Sequence, residues 1–162
     1  MCLLNVGAAG SETMKNLVLG GIASFTVVDA QVVEASDLGS NFLVDAASLG
    51  ATRAATVCGL LQELNPSVTG SFVEERPETL IESNPNFFNG FTLVIATQLP
   101  EQVVVKLDAL LREKNIPMVT VRAYGLVGAV RVSVEEHCVV EVSDQSQNDP
   151  ARASQGRWFL FR

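Results

Sequence analysis

Five apolar runs, each of strand length, alternate with stretches of helical periodicity, and that alternation leaves few architectures open. The runs are "CLLNV" (2–6), "SFTVVD" (24–29), "GSFVEE" (70–75), "FTLVIAT" (91–97) and "PMVTVRA" (117–123). Between the first two, Met14, Leu17 and Val18 recur at helical spacing. Ser11 is placed to cap that helix, and Gly20-Gly21 to end it, because glycine tolerates the left-handed cap. The resulting strand–helix–strand unit, about 28 residues long, has the size of a parallel crossover. Ala54, Val57, Cys58, Leu61 and Leu64 line one face of a helix over 50–64, and Val103, Val104, Leu107, Leu110 and Leu111 mark another. Residues 30–47 hold no clear period and read as a long loop, and "SNPNFFNG" (83–90) reads as a turn-rich connection. "GLVGAVRVSV" (125–134) turns at glycine into an antiparallel strand.

Near-continuous apolar strands alternating with helices predict an α/β fold: a Rossmann-like, mostly parallel sheet with helices on both faces and one antiparallel edge strand. The ligand crevice of such a fold opens at the carboxyl end of the first strand. The chain has 162 residues, enough for one domain with a sizeable core. That domain is expected over 1–141, with a divergent, poorly ordered tail over 142–162 rich in Ser, Gln and Asn.

Charged residues make up 18 % of the chain, against a norm of about 25 %. Some apolar surface is therefore expected to belong to a partner. The net charge of −7, with no basic stripe, argues against nucleic acid and against an anionic membrane surface. Cys2, Cys58 and Cys138 form no metal-ligand spacing, and with His137 the only histidine a zinc site is not expected. The opening "MCLLNVGAAG" lacks the basic region of a signal peptide. No apolar run reaches the ~18 residues of a membrane span. Unpaired cysteines suit a reducing compartment, so a cytoplasmic or nuclear location is expected.

The stretch "NVGAAGSETMKN" (5–16) resembles a dinucleotide-binding turn with glycines missing. Such a turn uses one glycine to turn, one to admit the pyrophosphate and one to pack helix on strand. Gly7 suits the turn, Ala9 and Glu12 stand at the second and third positions, and Gly10 is an extra. Glu12 suits the helix dipole but repels a phosphate competing for the same amides. Asp29 lies about 20 residues on, where an acid for the ribose belongs. Two readings stand: a weakened nucleotide site, or a turn made by Gly7 and Gly10 with Asp29 capping the strand end.

Elsewhere structural roles are expected first. Cys58 falls on an apolar helix face and reads as a core residue. His137 and Cys138 are adjacent, so on a strand they point to opposite faces and cannot form a nucleophile pair. "VEERPE" (73–78) reads as a solvated charge run, and Phe87 and Phe88 as a seal beneath a loop. Tyr124 suits a half-buried structural place or an interface crevice equally.

Longer words narrow the function. "GSETMKNLVLGGIASFTVVDAQVVEASDLGSNFLVDAASLGATRA", "LQELNPSV", "FTLVIATQLPE" and "RAYGLVGAVRVSVEEH" together resemble the ThiF-type adenylation fold of ubiquitin-like-protein activating enzymes. Within it they resemble the regulatory subunits of the neddylation (Nedd/Rub) activating enzymes. In these enzymes one half adenylates the modifier's C-terminal carboxylate with ATP and magnesium, and a cysteine then takes the acyl group as a thioester. The other half has the same fold and is silent. The resemblance implies that this chain is the silent half, obligately paired with a catalytic subunit that holds ATP and magnesium, with the ubiquitin-like modifier as the second partner. Active halves carry an Asn-x-x-Arg-Gln word where this chain has Asp37, Ser40 and Asn41, a lysine at Arg53, and a magnesium-binding aspartate at Gln98. Asp29 alone matches, so Gly7, Gly10 and Asp29 would be vestiges of a cofactor site, with no catalytic or metal residue. An arginine-bearing segment before the first strand and a helical continuation after Glu141 are also expected of the family and absent, which implies truncation at both ends. The rival readings are a stand-alone Rossmann-type nucleotide-binding enzyme using the same three residues, and an inactive truncated product.

Overall fold

The structure, a computed structural model, describes residues 1–139 and 159–161. Six strands form one sheet: β1 (Cys2–Leu4), β2 (Ser24–Val28), β3 (Thr69–Val73), β4 (Val94–Thr97), β5 (Met118–Tyr124) and β6 (Val127–Ser133), in the order β3-β2-β1-β4-β5-β6. The first five are mutually parallel, and β6 returns antiparallel to β5 through the two-residue turn Gly125–Leu126. The helices are α1 (Ala8–Leu19), α2 (Arg53–Leu64), α3 (Pro77–Ser83) and α4 (Glu101–Glu113). A separate two-stranded ladder pairs β7 (His137–Val139) with β8 (Phe159–Phe161). The tail expected over 142–162 otherwise lies outside the described residues.

Strand alternation divides the core in two. Leu3, Phe25, Val27 and Ile95 point to one side, where Met14 and Val18 of α1 and Val57 and Leu61 of α2 cover them. Cys2, Leu4, Val28, Val94 and Met118 point to the other, against Leu80 of α3 and Val104, Leu107 and Leu111 of α4. The period of two in the strands and of 3.6 in the helices thus produces helices on both faces of a mostly parallel sheet. That is the doubly wound arrangement the alternation predicts.

Several local features differ from the sequence reading. Gly7, not Ser11, occupies the N-cap of α1, and no side chain caps it. Ser11 instead lies buried in the first turn, its hydroxyl donating to the Val6 carbonyl at 3.1 Å. Gly21 takes φ 82° just beyond that helix, as its left-handed end requires. Helix α3 is absent from the sequence reading; its buried Pro77, Leu80 and Ile81 fall at i, i+3 and i+4, a single helical set in seven residues. Proline at its first turn is the local signal for its start. The loop 30–47 is tethered rather than free. Val32 bridges Thr52, and Asp45 accepts from the Ala47 and Ser48 amides to cap a 3-10 turn over Ala46–Ser48. Phe88 is fully buried with Phe87 edge-on to it at 5.3 Å, the seal beneath the loop that its sequence suggests.

Cys2 and Cys58 are buried and Cys138 is exposed. Burial pushes the Cys2 thiol up to about 12 and raises that of Cys58. Alkylation needs the thiolate, so at pH 8 only about one Cys2 in ten thousand is reactive at any moment. Iodoacetamide at pH 8 should therefore modify Cys138 alone in the folded chain, and all three cysteines in urea, as read by peptide mass spectrometry. Native labelling of Cys2 at the rate of Cys138 would contradict this packing.

Candidate functional site

Connections from β1 run towards β2 and those from β4 run towards β5, so the loops at their carboxyl ends diverge and leave a crevice between them. Asn5 follows β1 and Gln98 follows β4, and both sit in the left-handed region, at φ 62° and 53°. Such backbone persists only where its surroundings hold it. Asn5 Nδ2 donates to the Thr97 carbonyl at 3.1 Å, while Thr97 Oγ1 donates to the Asn5 carbonyl at 2.6 Å. Gln98 Nε2 donates to the Ala123 carbonyl at 2.7 Å, and its Oε1 accepts from the Ala123 amide at 3.0 Å. An ionised aspartate at this position could accept but not donate. The neutral amide therefore makes both bonds to Ala123, of which a carboxylate could make only the accepted one.

Gly7, expected to make the turn, has no need of glycine there, and Gly10, expected only as an extra, has the close-packing role. Gly7 has ordinary extended torsions (φ −67°, ψ −169°), and a Cβ there would meet nothing within 4 Å. At Gly10 a Cβ would lie 2.5 Å from the Asn5 carbonyl oxygen and 3.2 Å from Thr97 Oγ1. Gly10 is the residue that lets α1 lie against the ends of β1 and β4.

Asp29, just beyond β2, is 1 % exposed. Its Oδ2 accepts from the Val6 amide at 2.9 Å, and its Oδ1 from the Gln31 amide at 2.8 Å. Arg53, in the first turn of α2, completes the arrangement. Its Nε and Nη2 reach Asp29 Oδ2 at 2.9 and 2.8 Å, and its Nη1 reaches Asp37 Oδ1 at 3.3 Å. Nη2 also donates to Gln31 Oε1. Arg53 is only 8 % exposed. A guanidinium with five donors suits this bridging between two acids, whereas a lysine would supply a single point of charge. Asn41 is buried beside the cluster, donating to the Val6 carbonyl at 3.3 Å and accepting from the Leu43 amide at 3.2 Å. Ser40 is exposed at the end of the 3-10 turn Asp37–Gly39, its hydroxyl 3.3 Å from the Ser36 carbonyl.

The structure places Asp29 against the Val6 amide, next to Gly7, and Gly10 against the Asn5 carbonyl, all beside the carboxyl ends of β1 and β2. It adds Arg53, Asp37, Asn41 and Gln31, which sequence spacing does not connect to Asp29. The available signal was Arg53 itself, a charged residue at the start of the helix face formed by Ala54, Val57 and Cys58. Lys15, the other cation nearby, lies 4.8 Å over the Phe42 ring and pairs with Glu12. Among the described residues no group of three or more His, Cys, Asp or Glu side chains is placed to hold a metal ion, and no helix is long and apolar enough to cross a membrane.

Residues 2–156 match the ThiF family. The chain is 57 % identical to the NEDD8-activating enzyme E1 regulatory subunit AXL of Arabidopsis thaliana over 94 % of its own length and 29 % of that protein's. It is 51 % identical to the NEDD8-activating enzyme E1 regulatory subunit of Gallus gallus, over 87 % of its length and 26 % of that protein's. It therefore spans little more than a quarter of these relatives. Among solved structures it is similar to SeMet PaaA (TM-score 0.73, 16 % identity, 82 % of this chain and 43 % of that one). It is also similar to E. coli tRNA N6-threonylcarbamoyladenosine dehydratase, TcdA, in complex with AMP (TM-score 0.64, 21 % identity, 74 % and 48 %). At these identities the structural likeness establishes the Rossmann-like fold.

Two stability measurements check the geometry. Gly10→Ala should destabilise the chain by about 1–3 kcal/mol through overpacking, while Gly7→Ala should cost less than about 1 kcal/mol. The reverse ranking in urea unfolding would contradict the assignment of roles. Arg53→Ala leaves a buried carboxylate unpaired and should cost about 3–5 kcal/mol. Lys106→Ala, which removes an exposed pair with Glu82, should cost under about 1 kcal/mol.

Proposed function

Because the chain belongs to the ThiF family, we propose that it is the pseudo-adenylation part of a non-catalytic regulatory subunit. It pairs with the catalytic subunit of a neddylation activating enzyme, and that subunit activates a Nedd/Rub-type ubiquitin-like modifier by ATP-dependent adenylation and thioester formation. The relatives' names support the subunit class, and the crevice supports silence.

One observation carries the silent reading: Asp29, the acid on the ribose side, is occupied by Arg53 and two backbone amides. Adenylation needs cationic groups on the phosphates and carboxylates on magnesium. The cation at position 53 is instead spent on Asp29 and Asp37. Ser40 carries no charge to neutralise a phosphate, and the neutral amide of Gln98 is engaged with β5. Gly7, Gly10 and Asp29 are on this reading a nucleotide cradle kept as scaffold, while ATP and magnesium belong to the partner. The free cysteines suit the reducing cytosol or nucleus.

Two experiments test the proposal together. The chain mixed with the catalytic subunit at micromolar concentration should co-elute in gel filtration, and separate elution would count against pairing. Given the modifier and ATP, the chain alone should catalyse no pyrophosphate–ATP exchange. Exchange above the protein-free blank, abolished by Asp29→Ala, would refute silence.

A further inference from the structure

We propose that the cleft between α4 and the β5–β6 hairpin, remote in role from the switch-point crevice, is a binding site for a carboxylate group. The cleft encloses about 190 Å³, room for about six waters at ~30 Å³ each, the size of a short acidic side chain. Glu101 and Val104 of α4, Thr120 and Arg122 of β5, and Ala129 and Arg131 of β6 line it. The strand register explains the grouping. Thr120 pairs with Arg131 and Arg122 with Ala129, so all four share the face that Met118 presents to α4.

The chemistry lies in donors that the described residues leave unmet. Thr120 is 6 % exposed, yet its hydroxyl has no hydrogen-bond partner, and neither has the buried Nε of Arg122. Buried polar groups are nearly always satisfied, so two on one cleft ask for a ligand atom. The rest of Arg122 is engaged: its Nη2 lies 2.6 Å from Glu101 Oε2 and 3.1 Å from the Leu99 carbonyl. Arg131 Nη2 stands 3.8 Å from Asp108 Oδ2, an ion pair too long to be a hydrogen bond. Two unmet donors and a third, loosely held cation match a group with two acceptor oxygens and a negative charge. Val104 and Ala129 supply apolar wall for a short methylene stem. Glu101 pairs with Arg122, and Asp108, whose Oδ1 is also unpartnered, is shared between Arg112 and Arg131. Three guanidiniums thus stand against two carboxylates, so charge as well as directed hydrogen bonds favours an anion there.

A free small carboxylate and an acidic side chain of a polypeptide offer the same group. Titration of the ¹⁵N-labelled chain with sodium succinate, read at the Thr120 amide and the Arg122 Nε–H, tests the site against sodium chloride at matched ionic strength. Succinate should shift both signals saturably. Succinamide should not, and Thr120→Val should weaken the response about tenfold, as expected for one lost hydrogen bond. Arg131→Gln, at an exposed position, should weaken it about threefold and serves if the valine variant does not fold. An acetylated hexapeptide carrying one glutamate distinguishes the sources. Tighter binding than succinate assigns a polypeptide ligand, and weaker binding a free carboxylate. Shifts that chloride or succinamide reproduces, or that both variants leave unchanged, would overturn the proposal.

Discussion

The contact between Arg53 and Asp29 holds together what the chain order separates. Asp29 leaves β2, Arg53 begins α2, Val6 ends the run after β1, and Asp37 belongs to the connecting loop; one guanidinium and one carboxylate join all four. Burying two opposite charges costs desolvation, and the pair is tolerable only where hydrogen bonds satisfy the remaining atoms. Here the Val6 and Gln31 amides and the Gln31 side chain do so. The long loop 30–47 is ordered by the same knot, since Asp37 also accepts from the Glu34 amide at 3.0 Å. The proposed silence rests on that arrangement: the carboxylate of Asp29 is already bonded from within the chain.

At the switch point, close approach of backbone matters more than turn flexibility. Gly10 is glycine because the Asn5 carbonyl leaves no space for a Cβ. Asn5 and Gln98 accept left-handed torsions at the ends of the two diverging strands, and Thr97 and Ala123 hold them there. A sheet of Rossmann order keeps this mouth geometry whether or not chemistry is done in it.

Much of this was legible in the sequence, where the signal was periodic. The buried strands, α1, α2 and α4 follow from apolar spacing, because one face of each must meet a core; the antiparallel return of β6 follows from the turn at Gly125, since only Ser133 of that strand is buried. Helix α3 was not legible, since one i, i+3, i+4 set (Pro77, Leu80, Ile81) in seven residues is shorter than the window over which a helical period shows. Ser11 was expected as a cap from residue type alone, but the apolar packing of α1 draws its hydroxyl inward to Val6. Gly7 and Gly10 were distinguishable only once the Asn5 carbonyl had a position. Arg53 is 24 residues from Asp29 in sequence, and no local pattern records a pairing that the β2–α2 crossover creates. Resemblance to a subunit class named the positions, and the structure shows what two of them, Arg53 and Gln98, bond to: Asp29 and Asp37 in one case, Ala123 in the other.

Arg53 and two backbone amides take up the Asp29 carboxylate and leave no acid for a nucleotide's ribose. Isothermal titration of the chain alone with ATP and magnesium tests this most directly. No saturable heat is expected up to millimolar nucleotide, for the wild-type chain and for Ser40→Arg alike. Saturable binding below about 0.1 mM that Asp29→Ala removes would mean that Arg53 gives way to ribose, and would contradict it.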